Sequence, residues 1–315
     1  IVSFNFVNSL HIDIFLLSKD IVKSGKFKDR YLSKLIRTIN NNNINYVYMP
    51  CFYRDGYNPI KWFKLYQILK RSKHKFITEF NLLTWIDVTR MIAFFIKYPF
   101  VLHGFIKKHE PNGDIDNAIH QSLKESFQHT TLPAYVRYLL GIKIAKKFNH
   151  SKLLSYCENQ SIDICLYKGI RDTSNNFKIY AYQQYAMTEN YGLTRIPEQY
   201  KEAGIAPDKI IVNGSGYIPK ETSYDYLGLS IRNTEVFNIG VKASAENCLV
   251  LLSDITSESE YIMNIISGFI IEKNRLYIKP HPILDPKVLE GYSKHSILDG
   301  DVYQYLPNTN VIVIE

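Results

Sequence analysis

Short β-prone runs that end in polar residues and lead into helical stretches recur in the second half of the chain. They lie at residues 153–157, 178–182, 209–212, 248–252, 276–279 and 311–314. Runs of this length with bulky apolar residues indicate buried strands. Strands that alternate with helices are typical of a parallel sheet, so we predict an α/β fold.

The first half of the chain is predicted to be mainly helical. The predicted helices are 10–45, 62–73 and 82–108, the last of them broken near Pro99, followed by two helices within 118–150 that are split near Pro133. The predicted strands of this half are 44–50 and 75–79. The apolar stretch 91–106 is shorter than the ~20 residues that a membrane-spanning helix needs. We expect it to be a buried core helix, and the alternative is a helix that lies in a membrane interface between its basic neighbours.

The length of 315 residues, 46% of them hydrophobic, is enough for two domains. Residues 219–245 have the composition of an interdomain connection, and we place the boundary between 225 and 226. A doubly wound domain needs more strands and helices than residues 226–315 provide. We therefore expect this domain to be incomplete and to continue beyond Glu315.

Charge is unevenly spread along the chain, although the net charge is +8. Residues 1–150 hold 23 Lys and Arg against 10 Asp and Glu, whereas residues 151–315 hold 15 against 20. A basic first half favours a polyanionic partner, such as anionic lipid, acidic polysaccharide or nucleic acid. The alternative is a solvated, lysine-rich surface.

Familiar catalytic and metal-binding motifs are missing from the sequence. There is no P-loop, no G-x-G-x-x-G, no H-E-x-x-H and no G-x-S-x-G, which leaves NTPases, dinucleotide oxidoreductases, zinc proteases and serine hydrolases unsupported. The four cysteines are scattered, so we expect buried free thiols in a reducing compartment, and neither disulfides nor a metal site.

A rigid turn follows the predicted strand 276–279. Pro280 and Pro282 fix two backbone φ angles and hold His281 between them. The carboxyl end of a parallel strand is where open α/β sheets bind ligands, and the side chains of His281 and Lys279 can both contact phosphate oxygens. The alternative is a capped turn with an internally satisfied histidine.

A serine-rich segment opens the helix after the predicted strand 248–252. Ser257 and Glu260 match the S-x-x-E capping box, and the free N–H groups of a helix start bind anions. Ordinary capping is the alternative. The predicted nucleotide-binding residues are Lys279, His281, Pro282, Ser253, Ser257, Glu258 and Ser259.

The triplet Glu158-Asn159-Gln160 follows the predicted strand 153–157. A carboxylate at this position can act as a general base on an acceptor hydroxyl, and the alternative is a helix N-cap with Glu158 solvated. We predict Glu158 and His281 as the catalytic residues. The predicted substrate-binding residues are Asn159, Gln160, Gln183, Gln184, Asn213 and Ser215.

Four of these segments together resemble the bacterial surface-carbohydrate biosynthesis glycosyltransferases of the GT-B type. They are residues 158–160, 178–184, 207–214 and 278–282, which follow a basic, mainly helical region. The run Lys279-Pro280-His281-Pro282 is also similar to the His-Pro motif of bacterial sialyltransferases and Kdo transferases, whose histidine contacts the phosphate of a CMP-sugar. Ser161, Ile162 and Asp163 depart from the family pattern, which has an aromatic residue and a second glutamate there.

This resemblance implies a GT-B-like fold, with two Rossmann-like domains facing a cleft. Residues 1–225 would form the helix-rich acceptor domain, and residues 226–315 would bind the nucleotide-sugar. The implied enzyme is a metal-independent transferase without a cofactor, which moves Kdo or another nonulosonic acid from a CMP-sugar onto a growing surface polysaccharide or lipid-linked glycan. Its implied location is cytoplasmic or peripheral at the inner face of the membrane, with an anionic membrane surface and no nucleic acid among its partners.

Two other functions are compatible with the same residues. CDP-polyol phosphotransferases of teichoic-acid-like polymers carry a similar Lys-x-His-Pro turn. A non-catalytic subunit that binds glycan or lipid in a surface-polymer assembly would need no catalytic Glu158.

Overall fold

The chain forms two compact units, Ile1–Arg232 and Asn233–Glu315. The computed structural model describes residues 9–16, 21, 24–27, 29, 32–52, 59–108, 113, 117, 120–121, 123, 131–183, 195–229, 247–253, 255–268, 276–281, 284, 287, 289–290, 296–298 and 309–313. Two predicted site residues, Gln184 and Pro282, lie outside these ranges.

The first unit is built on a six-stranded parallel sheet. Its strands are β1 (Leu10–Leu16), β2 (Tyr46–Phe52), β3 (Lys152–Tyr156), β4 (Lys178–Tyr182), β5 (Lys209–Val212) and β6 (Tyr226–Gly228). Its helices are α1 (Ser33–Asn41), α2 (Pro59–Arg71), α3 (Glu79–Leu82), α4 (Trp85–Lys108), α5 (Thr131–Lys147), α6 (Ser161–Arg171) and α7 (Gln199–Glu202). The strand order is β2-β1-β3-β4-β5-β6, which is compatible with a Rossmann-like fold.

Both faces of this sheet are covered by apolar side chains. Neighbouring residues such as Leu153 and Leu154 belong to different core clusters, as do Ile210 and Ile211. Successive side chains of a strand point to opposite faces, so each cluster lies on one face of the sheet. A parallel sheet buried on both faces is the usual state of α/β proteins.

Strand β1 corrects the prediction that residues 10–45 are helical. It lies between β2 and β3, and its residue Asp13 faces Met49 on one side and Ser155 on the other. The alternating apolar residues Ile12 and Ile14 have the period of a strand, and both are buried. Within the described residues of this range, the predicted helix is confirmed for α1 (Ser33–Asn41).

Most other strand predictions are confirmed, with small shifts at the ends, for 44–50, 153–157, 178–182 and 209–212. The predicted strand 75–79 is wrong, because Phe76 makes only an isolated bridge to Tyr48 and Glu79 already begins α3. Strand β6 pairs with β5, so the structure places residues 226–228 in the first unit, whereas the expected boundary was 225/226.

Helices α5 and α6 touch through their backbones. A Cβ atom added to Gly141 would collide with the carbonyl oxygen of Leu166, and one added to Gly169 would collide with that of Tyr138. Two glycines therefore permit an approach that any larger residue would prevent. This contact fixes how α5 and α6 lie against each other.

Helix α4 is not the buried core helix that its composition predicts. Trp85, Ile96 and Phe100 are among its exposed apolar residues, and the helix continues through Pro99 without the predicted break. Within the described part of the chain, none of the helices is both long and apolar enough to cross a membrane. An apolar sequence of this kind does not by itself imply burial, since the exposure of a helix depends on which elements pack against it.

The second unit contains a smaller parallel sheet. Its elements are β7 (Asn247–Leu251), α8 (Thr256–Gly268), β8 (Leu276–Lys279), β9 (Ser296–Ile297) and β10 (Thr309–Val313). The strand order is β10-β7-β8-β9, and the core includes Val250, Met263 and Ile278. The predicted strands 248–252 and 276–279 are confirmed, with a small shift at the ends of the first, and so is 311–313 of the third, whose residue 314 lies outside the described residues.

The four cysteines are free thiols, and the prediction that they are buried holds for two of them. Cys51 and Cys157 are buried, and Cys165 and Cys248 are partly buried. Burial raises the pKa of the Cys51 thiol to about 12, so this thiol stays protonated at neutral pH.

Candidate functional site

Strand order identifies one preferred ligand position in the first unit. From β1 the chain forms β2 on one side of it and β3 on the other, which makes the gap between β1 and β3 a topological switch point. Open α/β sheets bind ligands in the crevice at the carboxyl ends of such strands. Glu158 lies two residues after the end of β3, so it lies at this switch point.

The carboxylate of Glu158 is held by its two sequence neighbours. The hydroxyl of Tyr156 donates to Oε1 at 2.5 Å, and Nε2 of Gln160 donates to Oε2 at 2.7 Å. Glu158 remains partly exposed. Each carboxylate oxygen has more than one lone pair, so these bonds orient the group and still leave it able to accept a proton.

Asp163 fixes the backbone beneath Glu158. Its Oδ2 accepts hydrogen bonds from the backbone N–H of Glu158 at 3.0 Å and of Gln160 at 3.1 Å. Asn159 between them has the left-handed φ of 58°, and its Nδ2 donates to the carbonyl of Arg195 at 3.2 Å. Burial raises the pKa of Asp163 to about 7. Helix α6 is therefore capped by Gln160 and Asp163, and the side chain of Glu158 does not cap it.

A buried ion pair lies below this edge of the sheet. Nη2 of Arg137, on α5, donates to Oδ2 of Asp13, and the hydroxyl of Ser155 donates to the same oxygen at 2.8 Å. Nε of Arg137 donates to the carbonyl of Ile162 at 3.4 Å, at the start of α6. Burial acts to lower the pKa of Arg137, but the charge and hydrogen bond of Asp13, together with Cys51 and Asp163, outweigh it and the pKa is raised. The guanidinium therefore stays charged inside the protein.

Sequence reasoning missed this ion pair and the role of Asp163. The residues of the pair come from β1 and α5, far apart in the sequence, and β1 was expected to be helical. A local signal for Asp163 did exist, because an acidic residue three positions after Gln160 fits a capping pattern.

The remaining predicted substrate-binding residues of the first unit follow β4 and β5. Gln183 is buried, and its backbone N–H donates to the carbonyl of Ile211 at 2.9 Å. Asn213 accepts a hydrogen bond from the hydroxyl of Tyr182 at 3.2 Å. Ser215 is exposed in a short 3-10 turn. These residues share the carboxyl edge of the sheet with Glu158 but lie on strands further from the switch point.

In the second unit the switch point lies between β7 and β10, and Ser253 follows β7 there. The hydroxyl of Ser253 donates to Oε2 of Glu258 at 3.0 Å and accepts from the N–H of Ile255 at 3.1 Å. The buried Ser259 donates to the carbonyl of Ser253 at 3.1 Å. The predicted segment is thus tied together by its own hydrogen bonds.

The predicted capping box of Ser257 and Glu260 is wrong. Helix α8 begins at Thr256, so Ser257 already lies within its first turn and cannot occupy the N-cap position. Ser253 instead binds the N–H of the residue before the helix. Ser257 and Glu260 are both exposed.

His281 follows the strand beside this helix start. Leu251 and Lys279 face each other in the register of β7 and β8, so Ser253 and His281 leave neighbouring strands at the same edge. His281 is exposed, and its carbonyl accepts from the N–H of Leu284 at 3.0 Å. Nζ of Lys279 donates to the carbonyl of Leu298 at 3.4 Å. The structure therefore brings the two predicted nucleotide-binding segments together.

Among the side chains that the structure describes, no three His, Cys, Asp or Glu residues are grouped to hold a metal ion. No family model matches the chain, and no curated protein matches it either. The candidate residues consequently stand on the geometry within each unit, which is Glu158 at a strand end of the first unit and, separately, Ser253, Lys279 and His281 at strand ends of the second.

Proposed function

We propose that the chain is a glycosyltransferase that moves a sugar from a nucleotide donor onto a surface polysaccharide or a lipid-linked glycan. The observation that carries the proposal is the carboxylate of Glu158, which lies at a topological switch point and is held by Tyr156 and Gln160. A carboxylate that is oriented in a ligand crevice and partly exposed suits a general base.

In the proposed reaction Glu158 removes the proton of an acceptor hydroxyl. The oxygen of that hydroxyl forms a bond to the anomeric carbon, and the bond from this carbon to the phosphate oxygen breaks. The nucleotide leaves with the bonding electrons. Two GT-B-type domains, one for the acceptor and one for the donor, are part of this proposal.

The leaving nucleotide is assigned to the second unit. Ser253 and His281 lie on neighbouring strand ends, and Lys279 belongs to the second of these strands. An imidazole, an ammonium group and the start of α8 can together offset the charge of a departing phosphate without a metal ion. The favoured donor is a CMP-sugar of Kdo or another nonulosonic acid.

A panel of nucleotides tests the donor. We expect CMP to raise the melting temperature of the protein, and we expect a CMP-sugar to release CMP faster in the presence of a glycan acceptor. CDP, UDP and GDP compounds are measured alongside. Stabilisation by UDP or GDP but not by CMP would overturn the CMP-sugar assignment.

Variants test the catalytic role. Glu158→Gln is expected to lower the rate of transfer about 100-fold, which is typical of losing a general base, and His281→Ala is expected to weaken donor binding. Glu202→Gln is the matched control, because this glutamate is exposed on α7. If Glu158→Gln and His281→Ala both transfer sugar at the wild-type rate, the proposal is wrong. Glycan binding without any transfer would indicate the non-catalytic subunit instead.

A further inference from the structure

The outer face of α4 carries a stripe of exposed apolar side chains. Ile92, Ile96 and Phe100 are spaced four residues apart, and Trp85 lies two turns before Ile92, so all four share one helix face. Their exposed fractions are 85% for Trp85, 56% for Ile92, 59% for Ile96 and 77% for Phe100. We call these four residues the apolar stripe.

Basic residues flank the apolar stripe. Arg90 and Lys97 are two turns apart on one side of it, and Lys107 and Lys108 end the helix. The single acidic residue of α4, Asp87, is buried and contacts Nζ of Lys143 at 2.7 Å and Nη1 of Arg90 at 3.3 Å, while the Arg90 side chain stays 56% exposed. The exposed surface of this helix is therefore apolar and positive, without a carboxylate.

The opposite face of α4 is attached to α5. The ring of Phe94 stacks on that of Tyr135 with 4.0 Å between the ring centres, and Asp87 pairs with Lys143. Phe94 and Asp87 lie more than a quarter turn from the apolar stripe at about 100° per residue. The stripe is thus held facing away from α5.

We infer that α4 docks the protein onto an anionic lipid surface. A helix with an apolar face and flanking lysine and arginine lies in the plane of a membrane interface, with the apolar side chains among the acyl chains and the cations at the headgroups. Trp85 at the start of the stripe suits the headgroup level. At 1.5 Å per residue the helix is about 36 Å long, which gives an extended contact.

Charge argues for lipid as the occupant of the stripe. A second copy of the chain in a twofold interface would bring Arg90 and Lys97 against their own equivalents. A nucleic acid would use the cations, but it offers no apolar partner for Ile92, Ile96 and Phe100. An anionic membrane matches both the charge and the apolar side chains. This inference is independent of the proposed glycosyl transfer.

Tryptophan fluorescence and vesicle sedimentation test the inference. The sequence has two tryptophans, so Trp62→Phe leaves Trp85 as the only reporter. We expect phosphatidylcholine vesicles that contain phosphatidylglycerol to pull down the protein and to shift the Trp85 emission to the blue. Vesicles of phosphatidylcholine alone should do neither, or far less of both.

Two double variants separate the apolar and the charge contributions. Ile96→Ser with Phe100→Ser is expected to lower vesicle affinity at least about tenfold. Arg90→Gln with Lys97→Gln is expected to lower it about fivefold for each charge removed. Ile44→Ser and Lys152→Gln are the matched controls, since both residues are exposed and lie outside α4, and they should bind vesicles like the wild type.

Three results would overturn the inference. The first is no binding to anionic vesicles, and the second is binding that the stripe variant leaves unchanged. The third is a wild-type dimer that Ile96→Ser with Phe100→Ser converts to a monomer, because a second copy would then cover the stripe. Release of nucleotide from a soluble donor is measured separately, so a failure here leaves the proposed transferase untouched.

Discussion

The starts of α6 and α8 can be compared directly, since each follows a strand at a switch point and each has a carboxylate in its first turn. Asp163 in α6 is buried and accepts two backbone N–H groups. Glu258 in α8 is only partly buried and accepts the hydroxyl of Ser253. We call the start of α6, whose carboxylate is buried, the closed junction. We call the start of α8, whose carboxylate is only partly buried, the open junction.

The difference indicates separate roles for the two helix starts. At α6 a buried carboxylate already occupies the positive end of the helix, so this junction serves to hold the Glu158 loop. At α8 the carboxylate is near solvent and a serine mediates its contact, so a ligand anion can compete for the same end. A helix start by itself does not predict an anion site, because a carboxylate of the helix's own first turn can already occupy that position.

The largest expected effect comes from removing the cation beneath the closed junction. Arg137→Met leaves Asp13 buried without its partner, and we expect the free energy of unfolding to fall by about 3–5 kcal/mol. Chemical denaturation measures this. Lys168→Met is the control, because its pair with Asp172 is largely exposed and contributes no more than about 1 kcal/mol. Equal losses in the two variants would show that the buried pair does not support α6.

The residues at the strand ends could be predicted from the sequence, whereas the buried ion pair beneath the closed junction could not. Glu158, Ser253 and His281 could be placed at strand ends because short apolar runs with polar residues after them are local patterns. The pair of Asp13 and Arg137 could not, because it depends on β1 lying beside β3 and on α5 packing there. Polar residues inside β1 also hid the strand, although its alternating isoleucines pointed to it.

Helix α4 shows the opposite error. Its composition predicted a buried helix, and the structure exposes the apolar stripe. Apolar side chains favour removal from water, but their presence in a sequence does not show whether the same protein or another surface covers them. Whether the helix is buried depends on how many helices and strands pack on it, and the spacing of apolar residues in the sequence does not give that number.

The second prediction concerns pH and the closed junction. The pKa of Asp163 is raised from 3.8 to about 7 in the folded state, so folding takes up a proton between these values. The free energy of unfolding should therefore fall as pH rises from about 4 to 7, by up to about 1.4 kcal/mol per pH unit. Denaturation at several pH values measures the slope.

Asp163→Asn is the matched variant for this slope. The asparagine oxygen can still accept the N–H groups of Glu158 and Gln160, but the side chain cannot titrate. We expect its pH dependence between pH 4 and 7 to be flatter than that of the wild type. If the two curves run parallel, Asp163 is not the group that titrates.

A third prediction tests the contact that fixes α6. Gly169→Ala forces a Cβ atom against the backbone of Tyr138, and we expect a loss of about 1–3 kcal/mol in the free energy of unfolding. Gly104→Ala is the control in α4, because nothing lies within 4 Å of its added Cβ. That variant should gain up to about 1 kcal/mol from helix propensity. The same sign for both would contradict the backbone contact.

The smallest expected effect belongs to the open junction. Ser253→Ala removes a hydroxyl that binds Ile255 and Glu258, and we expect the second unit to lose about 1 kcal/mol of stability. Ser257→Ala should change it by less than about 0.5 kcal/mol, because Ser257 is exposed and does not cap the helix. Hydrogen exchange in α8 measures both. A larger loss in Ser257→Ala would restore the predicted capping box.

The contact between α5 and α6 also has a mechanical consequence. There is no room even for a Cβ atom between the two helices at Gly141 and Gly169, so their backbones lie in direct contact. Helix α5 also contacts α4 through Tyr135 and Lys143, and α6 carries Asp163, which accepts the backbone N–H of Glu158. The position of the Glu158 loop therefore depends on how closely α5 and α6 pack.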